Sequence, residues 1–509
     1  MRAAAAGERR RDILSTDHLA ADLGRRTARG GATAIIAQLV RVVAQLAIAA
    51  VMARLLAPSD FGLVAMAMTV TGFIGLFTDL GLSAATVQQR EIDQPTVTAL
   101  FWINLAMGCA LMLVCVAVAP LAAWFFGDRR LLWLTIALAA SIPVAAAGAQ
   151  HGALLQRGMR WMEMQWTPIL AQLAGGIVGV LLAWKGGIGY WALVGQAWVT
   201  AAVSTALLWQ FTRWRPDLVP RLRHARSALR FGLNLTGFNL VNYFHRQFDN
   251  VLIGWRWGAV DLGYYTRAYT LLTLPLTLVS GPIASAVVPA LSRLQDDPER
   301  WRNAFLRVFI GVNLVSSALS AMLIASAEPL VRVVYGTQWT DAGPVFLLLS
   351  ISMFAATVFN AAGWIYISLG QAQRMLRWGI YVTPFFVASF FVGLPFGPKG
   401  VALCYSLAMC LAGVPCLMFA TKRAPVEFFD CIWAWLPPAI VGGLAAWGAR
   451  LLAELWVQGN PVLAVVESSL IALGLYSAAT GVLIALHLMP FPYSLNRAAL
   501  RRLLVLPSW

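Results

Sequence analysis

Apolar runs of about 20 residues, the length a helix needs to cross a bilayer, recur along the whole chain with short polar breaks between them. About fourteen such runs are read. They fall near 32–56, 62–86, 96–119, 131–155, 162–184, 188–211, 232–255, 263–289, 304–326, 342–368, 376–396, 400–420, 432–453 and 462–489. Several contain proline (Pro143, Pro168, Pro275, Pro282, Pro384, Pro415). A membrane helix tolerates proline where neighbours satisfy the freed carbonyls, either as a hinge or as a static kink. The expected architecture is an all-α polytopic membrane protein.

Composition agrees. The 509 residues are 60% hydrophobic and 12% charged, with a mean hydropathy of +0.71. Soluble domains carry about twice that charged fraction, so a water-soluble globule is excluded. The first thirty residues have no apolar core, and no cleavable signal peptide is expected. The six cysteines (Cys109, Cys115, Cys404, Cys410, Cys416, Cys431) lie in or beside apolar runs without CxxC spacing, which points to packing rather than metal or disulfide chemistry.

The net charge of +16 would suggest nucleic acid in a soluble protein, but here placement matters more. The N-terminal tail carries Arg2, Arg9, Arg10, Arg11, Arg25, Arg26 and Arg29. Every second connection is also basic: Arg157 and Arg160, the run Arg213, Arg215, Arg221, Arg223, Arg226 and Arg230, then Arg374 and Arg377, Lys422 and Arg423, and finally Arg497, Arg501 and Arg502. About 26 of the 38 Lys and Arg fall on one side of the spans and about 8 on the other. By the positive-inside rule both termini are cytoplasmic, as an even span count requires. No nucleic-acid partner is expected.

The chain also repeats itself. Ala57-Pro58-Ser59-Asp60-Phe61-Gly62 and Gly258-Ala259-Val260-Asp261-Leu262-Gly263 lie 201 positions apart, between the first and second spans and between the seventh and eighth. Asp–x–Gly reads as a short turn with an Asp N-cap. Ala146-Ala147-Gly148 is echoed by Ala361-Ala362-Gly363, each leading to a basic turn, Met159-Arg160-Trp161 and Leu376-Arg377-Trp378. Gly187-Ile188-Gly189-Tyr190-Trp191-Ala192-Leu193 is echoed by Gly397-Pro398-Lys399-Gly400-Val401-Ala402-Leu403.

The expected division is a basic tail (1–30), a six-helix lobe (31–211), a basic linker (212–230), a second six-helix lobe (231–424), two extra helices (425–490) and a C-terminal tail (491–509). Six spans per copy keep both copies in one orientation. A pseudo-two-fold axis along the membrane normal should relate them, with a substrate site between the lobes.

Candidate chemistry lies in polar residues inside spans. Asn239, Asn242, Arg246, Asp249 and Asn250 share one face of the seventh span, and Gln38, Arg41 and Gln45 occupy the equivalent face of the first. An arginine in a spanning helix costs at least about 2.5–3.5 kcal/mol and normally faces a cavity or a partner. The two faces point to a shared hydrophilic cavity. For Arg246 an ion pair with Asp249 is the alternative, whereas Arg41 has no acidic neighbour in its own helix. Arg267 either joins the cavity or snorkels to the periplasmic interface. Asp79 reads as structural, paired with Arg90 or a basic loop. His151 and His245 read as packing residues by default, with a proton-linked role as the alternative.

No GxxxxGK[ST] loop, HExxH motif or long soluble insertion is present, so neither ATP hydrolysis nor another catalytic role is expected. No cofactor or metal is implied.

The run Ala53–Gly62, followed by Thr78-Asp79-Leu80-Gly81-Leu82-Ser83, resembles the opening of Wzx-type polysaccharide exporters. So do Asp249-Asn250-Val251-Leu252-Ile253-Gly254 leading to Leu262-Gly263-Tyr264-Tyr265, and Pro289-Ala290-Leu291-Ser292-Arg293-Leu294-Gln295. The resemblance covers roughly 25–425 and is nearest to the colanic-acid-exporter-like branch of the multidrug/oligosaccharidyl-lipid/polysaccharide exporter superfamily.

It implies two six-helix bundles, two C-terminal helices, alternating access and location in the bacterial cytoplasmic (inner) membrane. The implied substrate is an undecaprenyl-diphosphate-linked oligosaccharide. The implied partners are membrane lipids and the polysaccharide polymerase and chain-length machinery. Related flippases hold the diphosphate with cavity arginines, which fits Arg41 and Arg246. A multidrug extruder of the same superfamily is the alternative, disfavoured by a cavity richer in arginine than in acid. A membrane-embedded glycan polymerase is disfavoured by the short external loops.

Overall fold

The computed structural model describes residues 23–79, 81–88, 92–218, 226–456 and 460–485. Within its helices, the side chains of 23–35, 226–246, 279, 280, 282, 455 and 456 are not described. Every regular element among the described residues is helical. In chain order they are α1 (Leu23–Leu55), α2 (Pro58–Gly75), α3 (Leu82–Gln88), α4 (Gln94–Phe126), α5 (Arg130–Ala139), α6 (Ile142–Arg157), α7 (Trp161–Gly186) and α8 (Trp191–Thr212). There follow α9 (Arg226–Arg293), α10 (Pro298–Ala325), α11 (Ala327–Tyr335), α12 (Ala342–Ser350), α13 (Met353–Ser368), α14 (Ala372–Gly393), α15 (Gly397–Thr421), α16 (Phe428–Trp456) and α17 (Pro461–Ala485).

Nine of these helical stretches are long and apolar enough to cross a membrane, or up to eleven if each bent pair is one span, among the described residues. The fourteen predicted runs map onto fewer continuous stretches for visible reasons. The second run is broken into α2 and α3, with a turn at Leu76 and Phe77 and a bend at Thr78 and Asp79. The seventh and eighth share α9, interrupted at Gly258 (φ 84°, ψ −172°). The eleventh and twelfth form the hairpin α14–α15, whose backbones meet so closely that a Cβ on Gly393 would lie 2.5 Å from the Gly400 carbonyl oxygen.

The burial pattern is that of a multi-pass membrane protein. Large apolar side chains face outward, among them Leu411 (66% exposed), Trp447 (66%) and Leu444 (63%). The interior mixes large aromatics, such as Trp301, Phe305 and Phe309 of α10, with small and polar side chains. Asn313, Ser316, Ser317 and Ser320 of α10 are buried, and Ala321 and Ala325 pack against Ala445, Ala446 and Ala449 of α16 and Ala472 and Tyr476 of α17. In lipid there is no hydrophobic drive between helices, so small residues that admit close backbone approach supply the packing. The indole N–H of Trp435 donates to the Phe354 carbonyl at 2.6 Å, and the Tyr476 hydroxyl to the Leu314 carbonyl at 3.0 Å, fastening the two last helices.

Contacts divide the chain into two compact units, Met1–Thr266 and Arg267–Trp509. Each shows the same internal devices. In the first, the fourth predicted span is interrupted between α5 and α6; in the second, the tenth is interrupted between α12 and α13, with a 47° bend. In the first, Arg160 of the basic turn donates to the Phe211 carbonyl near the end of α8 at 2.7 Å. In the second, Arg374 donates to the Phe419 carbonyl near the end of α15. Each arginine satisfies a carbonyl left without a helical partner at a C-terminus.

Capping sets the helix starts. Asp93 accepts from Thr96 N and Asp297 from Arg300 N, both at 3.1 Å, each worth about 1 kcal/mol. The residues just after α8 are tied to the first unit: Trp214 donates to Gln94 Oε1 at 2.6 Å and Trp102 to the Asp217 carbonyl at 2.9 Å. His151 is fully buried there, stacked on Trp209 at 4.4 Å between ring centroids and edged by Trp214 and Phe101. This aromatic enclosure suits a packing role.

Asp79 anchors the start of α3. Its carboxylate accepts from the Ser83 hydroxyl at 2.6 Å and backbone N–H at 3.1 Å, and from Asn104 Nδ2 at 3.3 Å, fixing the start of α3. Arg90 lies outside the described residues.

Candidate functional site

The first predicted polar face sits on α1. Gln38, Arg41 and Gln45 are half-buried, whereas the neighbouring stripe of Ile36, Leu39 and Val43 is 59%, 50% and 66% exposed. Polar groups thus take the sheltered stripe and apolar groups the open one, the reverse of a helix in water. Arg41 donates through Nη2 to Gln38 Oε1, one turn back on the same face. The guanidinium keeps further N–H donors, enough for a bidentate contact to an oxyanion. Further along the same stripe Ile48 presses against Gly176 of α7, where a Cβ would come within 2.3 Å of Ile48 Cδ1. The apolar half of the stripe is therefore closed by α7.

The second predicted face sits on α9. The side chains of Asn239, Asn242 and Arg246 lie outside the described residues, on backbone that is helical. Asp249 is 4% exposed and accepts from the Tyr265 hydroxyl at 2.7 Å and from Asn250 N at 2.8 Å. Tyr265 is itself fully buried. Their hydrogen bond joins the two arms of α9 on either side of the Gly258 break. Asn250 donates to Gln247 Oε1 at 2.7 Å. Arg267 is half-buried beyond the break, and its carbonyl accepts from Tyr335 of α11 at 3.3 Å.

The geometry that sequence reading missed is the meeting of the two repeated turns, both within the first unit. A Cβ on Gly62 would lie 1.7 Å from the Ala259 carbonyl oxygen, and one on Gly263 would lie 2.0 Å from that of Pro58. With the 201-residue offset, Pro58 corresponds to Ala259 and Gly62 to Gly263. The two contacts are one contact seen from either copy, as a two-fold relation between the turns demands. Glycine is needed here for close backbone approach. The pairing of glycines at equal offset was the available signal, but it reads equally well as turn chemistry.

Asp60 differs from the expected N-cap. The helix starts at Pro58, so Asp60 lies inside the first turn and reaches back to Ala57 N at 3.1 Å. Its other oxygen accepts from Tyr190 N at 3.1 Å, tying this turn to the α7–α8 connection.

Among the described residues no group of three or more His, Cys, Asp or Glu is placed to hold a metal ion. All six cysteines are unpaired thiols.

Comparison with known proteins agrees with this architecture. The chain is 27% identical over 407 residues to the succinoglycan biosynthesis transport protein ExoT of Rhizobium meliloti (strain 1021), covering 79% of this chain and 82% of that one. It is 26% identical over 395 residues to the lipopolysaccharide biosynthesis protein WzxC of Escherichia coli (strain K12), covering 76% and 80%. The solved structure of the lipid II flippase MurJ in an inward closed conformation shares the fold, with a TM-score of 0.70 at 13% identity over 88% of this chain and 97% of that one. Residues 51–344 match the family model described as polysaccharide biosynthesis protein, and the chain belongs to that family.

Proposed function

We propose that this protein is a flippase that carries an undecaprenyl-diphosphate-linked oligosaccharide from the cytoplasmic to the periplasmic leaflet by alternating access. It makes and breaks no covalent bond. The observation that carries the reading is the half-buried Arg41–Gln38 pair with Gln45, a donor-rich stripe on the first helix of a multi-pass polysaccharide-biosynthesis protein. The transport named for ExoT and the lipid II flippase activity named for MurJ support it.

The substrate headgroup is a diphosphate. Taking it off the aqueous surface is the barrier, and a sheltered guanidinium lowers that barrier by replacing water with charge-assisted hydrogen bonds. Outward movement of an anion is then downhill by about 2.3 kcal/mol per charge per 100 mV, since the cytoplasm is negative. Arg246, Asn239, Asn242 and Asn250 of α9 are the further residues proposed to contact substrate, and Asp249 braces α9 through Tyr265. The protein lies in the bacterial inner membrane with both termini cytoplasmic, as two six-helix lobes (31–211 and 231–424) and two further helices. It hands its product to a periplasmic polymerase with its chain-length machinery.

A strain lacking the protein should accumulate lipid-linked oligosaccharide on the cytoplasmic leaflet while synthesis of the repeat unit continues. Normal surface glycan in that strain, together with new sensitivity to cationic drugs, would instead favour the multidrug extruder.

A further inference from the structure

The second unit contains a cavity of about 300 Å³ where the end of α10 and the start of α11 meet the end of α16 and the start of α17. That volume is at the lower end of small-molecule sites, about 300–1,000 Å³. Its wall carries two guanidinium and two carboxylate groups: Arg332, Arg450, Glu328 and Glu454. Arg450 and Glu328 are mutually engaged at 3.3 Å, and Arg450 also donates to the Ile324 carbonyl at 3.4 Å. They form a fixed, self-neutralised side of the cavity. Arg332 and Glu454 make no ion pair among the described residues, and both are exposed.

Position narrows what this opposite pair can meet. The cavity lies at the ends of three helices long and apolar enough to span a membrane, α10, α16 and α17. Its rim continues into outward apolar side chains, Leu451 at 44%, Val462 at 53% and Leu463 at 56% exposure. A soluble ligand has no use for such a rim, whereas acyl chains do. α17 begins at Pro461 on the rim, so its positive N-terminal dipole end adds to Arg332 as an attraction for phosphate. A purely anionic headgroup would set a second negative charge beside Glu454, which repels it.

We propose that this cavity binds the headgroup of a zwitterionic phospholipid with a primary ammonium, its phosphate on Arg332 and its ammonium on Glu454. Its residues are other than those of the Arg41 stripe, and it does not depend on the flippase reading. Bound lipid would wedge α16 and α17 against α10 and α11 at one membrane face.

Native mass spectrometry of the full chain in detergent tests this with phosphatidylethanolamine, phosphatidylcholine and phosphatidylglycerol added singly. Phosphatidylethanolamine should be retained preferentially, since the quaternary ammonium of phosphatidylcholine donates no hydrogen bond and phosphatidylglycerol offers no cation. Arg332→Ala and Glu454→Gln should each weaken its retention about tenfold, and Arg332→Lys should weaken it less. Both side chains are exposed, so the lipid-free melting temperature of the variants should match the parent. Equal retention of phosphatidylglycerol, or unchanged phosphatidylethanolamine in both Arg332→Ala and Glu454→Gln, would overturn the proposal. So would glycerophosphoethanolamine, which lacks acyl chains, binding as tightly as the lipid.

Discussion

The two copies of the repeated turn share a backbone and differ in chemistry. In both, the sixth residue is a glycine pressed on a carbonyl of the other copy, Gly62 on Ala259 and Gly263 on Pro58. Yet the first copy starts a new helix at Pro58, held by Asp60, while the second runs on within α9 through the glycine break at 258. The polar faces that precede the turns differ too. α1 shelters a cation against an amide, Arg41 with Gln38, and α9 buries a carboxylate against a phenol, Asp249 with Tyr265. A reciprocal crossing constrains both partners sterically, because any side chain on either one meets the other's backbone. Charges on the flanking helices carry no such mutual constraint, so they are free to take different roles.

The sharpest way to break this comparison is at the crossing. Gly62→Val and Gly263→Val each place side-chain atoms inside the opposing backbone, and overpacking of this kind costs about 1–3 kcal/mol or more. Both should abolish recovery of folded protein from membranes to a similar degree, read as yield and melting in detergent. Gly75→Ala, at a position with nothing within 4 Å of the new Cβ, should be tolerated. If one valine variant folds normally and the other does not, the reciprocity fails.

Next in size is the charge on the first copy. Arg41→Ala should reduce export about tenfold or more, seen as accumulated lipid-linked intermediate, while the protein still inserts. Arg41→Lys should recover only part, lacking the planar fork. Full export by Arg41→Ala would remove this residue from the site.

The corresponding change in the second copy should act on stability instead. Tyr265→Phe leaves the buried Asp249 carboxylate short of a donor, a loss of about 1–3 kcal/mol in thermal or denaturant unfolding. An unchanged melting temperature would mean that the α9 arms are held by other contacts.

The smallest effect belongs to the α4–α5 connection. The Arg130 guanidinium, bonded to Asp128 at 2.7 Å, holds that carboxyl below the usual carboxylate range. A depressed carboxylate stabilises the fold above its unfolded pKa, and the gain is lost as pH falls through the lower, folded value. The Arg130 side chain is 53% exposed, so Asp128→Asn should cost under about 1 kcal/mol, less still in high salt.

Much of this was legible in the sequence because bilayer thickness acts on composition directly: a spanning helix must be long and apolar whatever it packs against. The duplication was legible because it survives as Asp–x–Gly at a fixed offset. The site was legible only as far as polarity inside a span goes. Gln38, Arg41 and Gln45 announced a sheltered stripe, but Asp249 and Tyr265 are sixteen positions apart on what read as two helices, and nothing local pairs them. Asp60 was misplaced by three positions, standing at N3 rather than the N-cap, because α2 starts at Pro58.

By itself, then, the sequence determined solvent, fold class, family and repeat, since each depends on residue type and spacing along the chain. The tertiary structure alone decided which glycines serve close approach rather than turns and which charges are spent on the fold. It also decided where α9 breaks and which distant residues build the cavity beside α17. Those are matters of distance between segments remote in sequence, and hydrophobicity, the dominant signal in a membrane chain, carries no information about which partner a helix meets.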